Sequence, residues 1–103
     1  MATLIDITDK IKNETKFIKY GDKTYKVDDR KNTIIKVYSI IDQAAGADVQ
    51  MIEQVMKELL GKEAAKDFDG LSFEDYMVPF FAVMACVQGK SYEEVEASFR
   101  KSV

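Results

Sequence analysis

The hydrophobic positions of this chain are densest late in the sequence, between Leu71 and Gly89, where Tyr76, Met77, Val78, Phe80, Phe81, Val83, Met84, Cys86 and Val87 fall on nearly every side of a helix. A helix that is apolar all round is one enclosed by other elements. Ser72 followed by Asp75 reads as a capping box with a short acid in place of Glu. Glu74 and Asp75 lie where the positive end of the helix dipole favours them, and Gly89 supplies a stop. The uninterrupted apolar part is roughly a dozen residues, short of the ~20 that cross a bilayer. The stretch therefore predicts a buried central helix over 71–89. Pro79 lies past the first turn, and its missing N–H predicts a kink or the separation of the first turn or two.

Upstream the pattern changes period. Leu4, Ile5, Ile7 and Ile11 suit a short strand followed by a turn, which is preferred, or one helical turn. In KFIKYGDKTYKVDD two aromatic and β-branched runs flank Gly21-Asp22, the order that a II′ turn takes, and this predicts a β-hairpin. Pairing through that turn places Ile18, Tyr20, Tyr25 and Val27 on one face and Lys19, Thr24 and Lys26 on the other, with Phe17 breaking the alternation. Asp28 and Asp29 are expected to open a helix carrying Ile34, Val37, Tyr38, Ile41 and Ala45, ended by Gly46. Asp48 starts the next, with a stripe of Ile52, Val55, Met56, Leu59 and Leu60, outward Glu53, Lys57 and Glu58, and Gly61 as its close. A short amphipathic piece, KEAAKDF, leads through Asp69-Gly70 into the central helix. After Gly89, Ser91 and Glu94 form a second capping box before a last helix with Tyr92, Val95 and Phe99 on one side.

The sum is a single α+β domain over 1–103, mostly α. An N-terminal segment and β-hairpin (1–28) precede four to five short helices (29–103) packed around the central apolar helix. An isolated hairpin is marginal in water, so its apolar face has to pack on a helix or on a second copy of the chain.

With 47% hydrophobic residues the chain has material for a core. Its net charge of −3 conceals an asymmetry: up to Lys36 there are 9 basic and 6 acidic residues, and beyond it 6 basic and 12 acidic. The acidic balance and the scattered lysines argue against a general nucleic-acid binder, whose affinity comes from clustered positive charge. The single cysteine, Cys86, lies within the apolar helix, gives no disulfide framework and reads as a small core residue. The absence of histidine excludes His-dependent general base, nucleophile and zinc chemistry. The N-terminal stretch lacks the basic start and apolar run of a signal peptide, and a cytoplasmic protein is expected.

Chemistry-bearing patterns are sparse. DFDGLSFEDYM superficially matches the end of an EF-hand loop. Aligning Gly70 with that loop's glycine, however, puts Ala65 and Tyr76 at the first and last ligand positions, and starting at Asp67 puts Ser72 and Val78 at the glycine and the last ligand. A turn at Gly70 and a cap at Ser72 account for the segment. The pairs Asp28-Asp29 and Glu93-Glu94 stand at helix starts, where electrostatics alone favours them. With no phosphate-binding loop and no nucleophile motif, the expectation is a protein that is not an enzyme, with no cofactor and no metal. Met51, Met56, Met77, Met84, Phe80 and Phe81 form a deformable apolar set that is either core or the lining of a groove for a partner helix. Met77, Phe80, Phe81 and Met84 are the candidate partner-binding residues.

Taken in order, the hairpin FIKYGDKTYKVDD, the segment LSFEDYM and the closing GKSYEEVEASF resemble the small tail assembly chaperones of long-tailed bacteriophages and prophages, particularly those of Gram-positive hosts. The resemblance implies a non-catalytic protein of the bacterial cytoplasm that coats the tape measure protein and helps recruit tail tube subunits, without nucleic acid or membrane as partner. Members of that family are more purely helical, so the hairpin is a departure. The open hairpin edge adds an expectation of self-association. Two other readings compete: a structural tail or head completion protein of the virion, and a small regulatory domain contacting nucleic acid through Lys16, Lys19, Lys23 and Lys26.

Overall fold

A computed structural model describes residues 2–101 apart from 45 and 47, so the expected helical position of Ala45 lies outside the described residues. Strands β1 (Lys16–Tyr20) and β2 (Lys23–Val27) form a two-stranded antiparallel hairpin. Five helices follow among the described residues: α1 (Lys31–Gln43), α2 (Val49–Leu60), α3 (Lys62–Ala65) running into a 3-10 turn (Lys66–Phe68), α4 (Phe73–Gln88) and α5 (Tyr92–Lys101). The architecture is the mostly helical α+β arrangement expected from the sequence.

The hairpin turns where the dipeptide predicts. Gly21 takes φ +61° while Asp22 stays on the negative side, the sense of a II′ turn. Ile18 pairs with Tyr25, Lys16 with Val27 and Tyr20 with Lys23, so these side chains share one face. Tyr25 and Val27 are buried on that face and Ile18 is half-buried. The opposite face, with Phe17, Lys19, Thr24 and Lys26, is exposed. The covered face lies on the helices, β2 against α2 and β1 against α4. Two hydrogen bonds tie its ends down: the Asp28 amide donates to the Leu59 carbonyl at 2.8 Å, and Lys16 Nζ donates to the Cys86 carbonyl at 2.7 Å in the last turn of α4. A lysine there satisfies an orphan carbonyl at the negative end of a helix.

Asp28 and Asp29 do not themselves begin α1, whose N-cap is Arg30. The Asp28 carboxylate folds back instead, accepting from the Arg30 amide at 3.2 Å, from the Arg30 guanidinium at 2.9 and 3.0 Å and from Thr33 Oγ1 at 2.9 Å. It braces the residue before α1 and the Thr33 side chain in its first turn, while among the described residues no side chain bonds an amide of that turn. Asp48 caps α2 as expected, accepting from the Met51 amide at 2.7 Å, and Gly61 closes that helix at φ +90°. Ser72 accepts from the Asp75 amide at 3.2 Å, but the shorter Asp75 makes no return bond. The Ser91–Glu94 box, with a full-length glutamate, is reciprocal at 3.0 and 3.1 Å.

Two expectations are corrected. α4 runs unbroken through Pro79, so no first turn splits off. Met77, Phe80 and Phe81 on either side of the proline are buried in one core, which keeps both parts helical. The residue whose carbonyl loses its helical partner, Asp75, is exposed. At the N-terminus no strand forms over residues 3–7. The described segment is irregular apart from one 3-10 turn, Thr8–Lys10, where Asp6 accepts from the Thr8 amide at 3.0 Å and its hydroxyl at 2.7 Å. A strand needs a partner edge, and none pairs with this segment.

The core is built on α2 and α4. Ile52, Val55, Met56 and Leu59 of α2 meet Phe80, Val83 and Met84 of α4, with Val37 of α1, Val27 of β2 and Phe68 sealed around them. Among the described residues no charged or polar side chain is buried, and no buried polar side-chain atom lacks a partner. Packing of this kind is unforgiving of lost volume. Ile52→Ala or Leu59→Ala is expected to cost about 2–5 kcal/mol, read by urea unfolding.

The Asp28 clamp predicts a pH dependence. The hydrogen bond from the Arg30 side chain, helped by that from Thr33, holds the Asp28 carboxyl well below the usual carboxylate range. Its contribution to stability is therefore present above the unfolded-state value of about 3.9 and is lost as pH falls through the depressed folded value. Asp28→Asn is expected to lower the unfolding midpoint at neutral pH, and the difference from wild type should shrink in acid.

Candidate functional site

α4 reaches the surface through depressions on three sides. The largest of these, about 480 Å³, lies where the C-terminal end of α1, the start of α2, α4 and α5 come together. It is lined by Ile41, Met51, Phe80, Phe81, Met84 and Phe99, with Val95 beside them. A neighbouring hollow of about 410 Å³ brings Phe73 and Met77 to the other side of Phe81 and Phe99. A third cleft of about 300 Å³ separates the hairpin from α4, between Ile18 and Tyr20 on one wall and Leu71, Val78 and Pro79 on the other, with Phe68 at its base.

The four sequence-predicted residues are brought together, mostly below the surface. Met77, Phe80, Phe81 and Met84 are 3–7% exposed and belong to the core, and what each leaves open forms the floor of the first or second depression. The rims come from residues that the sequence reading assigned only to helix stripes: Ile41, Val95 and Phe99. Phe99 is the junction. Its ring meets Phe81 at 5.3 Å and Phe80 at 6.3 Å, both edge-on, and Tyr92 meets Phe81 edge-on at 5.9 Å. Nothing in the local sequence of α5 says which aromatic neighbours its stripe will find, because α4 presents apolar residues in every direction.

The polar chemistry around these surfaces is structural. Tyr25 donates its hydroxyl to Asp67 at 2.7 Å, and Lys23 pairs with the same carboxylate at 3.3 Å. The hydrogen bond to Asp67, with burial second, pushes the Tyr25 phenol up to about 12, and the same bond lowers Asp67. This bridge fastens β2 to the turn after α3 and fixes Phe68, whose ring lies 5.2 Å from Tyr25 and 5.5 Å from Tyr20. Cys86 is half-buried, and burial raises its thiol. Among the described residues no three acidic or sulfur side chains converge as a metal cage requires, and no helix is long and apolar enough to cross a membrane.

Comparison with protein-family models, with curated proteins and with solved structures finds no match. The functional reading therefore rests on the sequence and on this geometry. Around α4 the geometry offers apolar shape, depressions floored by Met and Phe; the larger hollows of about 590 and 530 Å³, near the start of α1, are lined by charged residues such as Glu14, Asp29 and Arg30. The surface around α4 suits side chains of another polypeptide better than a small polar substrate.

α5 is held mainly by α4, so its attachment is expected to depend on Phe99. Phe99→Ala removes both edge-on contacts and part of a half-buried ring, for an expected loss of about 1–3 kcal/mol. Amide hydrogen exchange should rise across α5 while α2 stays protected, and uniform deprotection would show instead that α5 is integral to the core.

Proposed function

We propose that this chain is a non-catalytic assembly chaperone of long-tailed phages or prophages, acting in the host cytoplasm. In this reading it shields amphipathic helix of the tape measure protein and assists the recruitment of tail tube subunits. The observation that carries the reading is the groove of about 480 Å³ at the meeting of α1, α2, α4 and α5, where Met51, Met84, Phe80, Phe81 and Phe99 form an adaptable apolar lining.

The mechanism is helix-in-groove recognition. An amphipathic helix presents anchors at i, i+3 or i+4 and i+7, and a groove of this size receives one or two of them at a time. Thioether side chains adjust to different anchors without a fixed register, as a cover for many successive stretches of one long helix requires. The acidic balance beyond Lys36 keeps such a cover soluble while its apolar lining is engaged. The order of sequence features that resembles the tail assembly chaperones supports the same reading.

The test is co-expression with the large coiled-coil protein encoded nearby, followed by pull-down. Phe80 and Met84 are unsuitable sites for a charge because they are buried, whereas Ile41 and Phe99 are half-buried on the rim. Ile41→Lys is expected to leave the circular dichroism spectrum and thermal midpoint close to wild type while abolishing co-purification. A coiled-coil protein that stays insoluble with or without this chain, with the chain itself recovered in purified particles, would replace the chaperone reading by that of a virion component.

A further inference from the structure

The N-terminal arm is the largest set of unburied aliphatic side chains among the described residues. Leu4, Ile5, Ile7 and Ile11 are 92, 73, 53 and 62% exposed, and the described residues from Ala2 to Thr15 are exposed without exception. The molecule is also elongated. The principal extents are 60 × 35 × 25 Å and the radius of gyration is 15.8 Å, against about 13 Å for a compact chain of 100 residues. Isolated surface leucines are ordinary, but four large aliphatic residues within eight positions on an unpacked arm are a surface awaiting a cover.

The same molecule carries a cleft that fits. The space between β1 and α4 is about 300 Å³ and mostly apolar, walled by Ile18, Tyr20, Phe68, Leu71, Val78 and Pro79. That is twice the ~150 Å³ of a cavity that takes one benzene-sized group, so there is room for about two branched aliphatic side chains. Beside it runs the outer edge of β1, which pairs with no other strand among the described residues. Unpaired edges accept an added segment through main-chain hydrogen bonds. From Ala2 to Thr15 the arm carries Asp6, Asp9 and Glu14 against Lys10 and Lys12, a net of −1, whereas the hairpin from Lys16 to Val27 carries four lysines against Asp22, a net of +3; Lys16 and Lys23 already pair with Asp29 and Asp67, Lys19 lines the cleft and so does Asp75 of α4.

We propose that the arm of one copy docks along β1 and into the β1–α4 cleft of a second copy, and that the exchange is reciprocal, giving a two-fold dimer. Reciprocity doubles the contact. Two arms bring eight large aliphatic side chains, each more than half exposed in the single chain, to two clefts and two β1 edges. The groove at α1, α2, α4 and α5 plays no part in this interface and stays open, so the inference stands independently of the chaperone reading.

Sedimentation velocity on the full chain tests it, with circular dichroism to verify folding. The arm variant Ile5→Asp/Ile7→Asp and the cleft variant Val78→Asp alter exposed positions, as does the remote control Ile35→Asp on α1. Wild type and the control are expected to sediment at twice the monomer mass, and the arm and cleft variants at the monomer mass with unchanged helicity. A wild type that sediments as a monomer or as a larger assembly overturns the proposal. So does a dimer that survives either the arm or the cleft substitution, or one that dissociates with Ile35→Asp. If wild type is monomeric while the arm amides are protected from hydrogen exchange, the arm docks on its own cleft and the exchange is refuted.

Discussion

A helix that is apolar on nearly every side has to be enclosed, and a chain of 103 residues has little with which to enclose it. The fold follows from that shortage. α2 takes one side of α4 with Ile52, Val55 and Met56, β1 of the hairpin takes another with Ile18, and α5 takes a third with Val95 and Phe99. α1 does not reach α4 as a whole; it packs chiefly on α2 and lends α4 only its C-terminal end, through Ile41. The three depressions are the seams between these covers. They are apolar because the floor that α4 contributes and most of the flanking side chains are apolar.

The hairpin illustrates the same economy. Two strands of five residues have no stability of their own, and this pair persists because its inner face belongs to the common core and its ends are tied to α2 and α4. The Asp28 amide and carboxylate serve opposite neighbours, one bonding α2 and the other organising the start of α1. Lys16 joins the start of β1 to the last turn of α4, and its ammonium also lies 3.7 Å from Asp29. These polar ties are worth little singly at a half-exposed surface. Their value is positional: they set where the hairpin sits, and hence the width of the cleft between β1 and α4.

The candidate surfaces were only half legible in the sequence. Met77, Phe80, Phe81 and Met84 were recognisable as a deformable apolar set, and all four do meet at the floors of two depressions. Their burial was not recognisable, because a helix with apolar residues all round gives no indication of which side its neighbours leave open. Ile41 and Phe99 define the rim from elements more than fifty residues apart, and no local pattern connects them. The arm was misread for a related reason. Ile5 and Ile7 alternate as a strand would, yet alternation predicts a strand only where an edge is present to pair with it.

The sequence by itself determined most starts and stops, those of α1 excepted, which begins after Arg30 and ends at Gln43, short of Gly46. Gly21-Asp22 for the hairpin turn, Asp48 and Gly61 for α2, Ser72 and Gly89 for α4, and Ser91 with Glu94 for α5 all act as their chemistry predicts. Caps and turns are satisfied by groups within about four residues, so their outcome is contained in the local chain. Only the tertiary structure decided which apolar residues are sealed and which are left at a seam. It also decided that α4 stays helical through Pro79, that Asp28 braces Arg30 and Thr33 instead of opening α1 itself, and that Leu4, Ile5, Ile7 and Ile11 find no cover among the described residues. Burial is a relation between segments distant in sequence, settled by how many faces the chain has available to cover an apolar helix, and a periodicity read along one segment does not contain it.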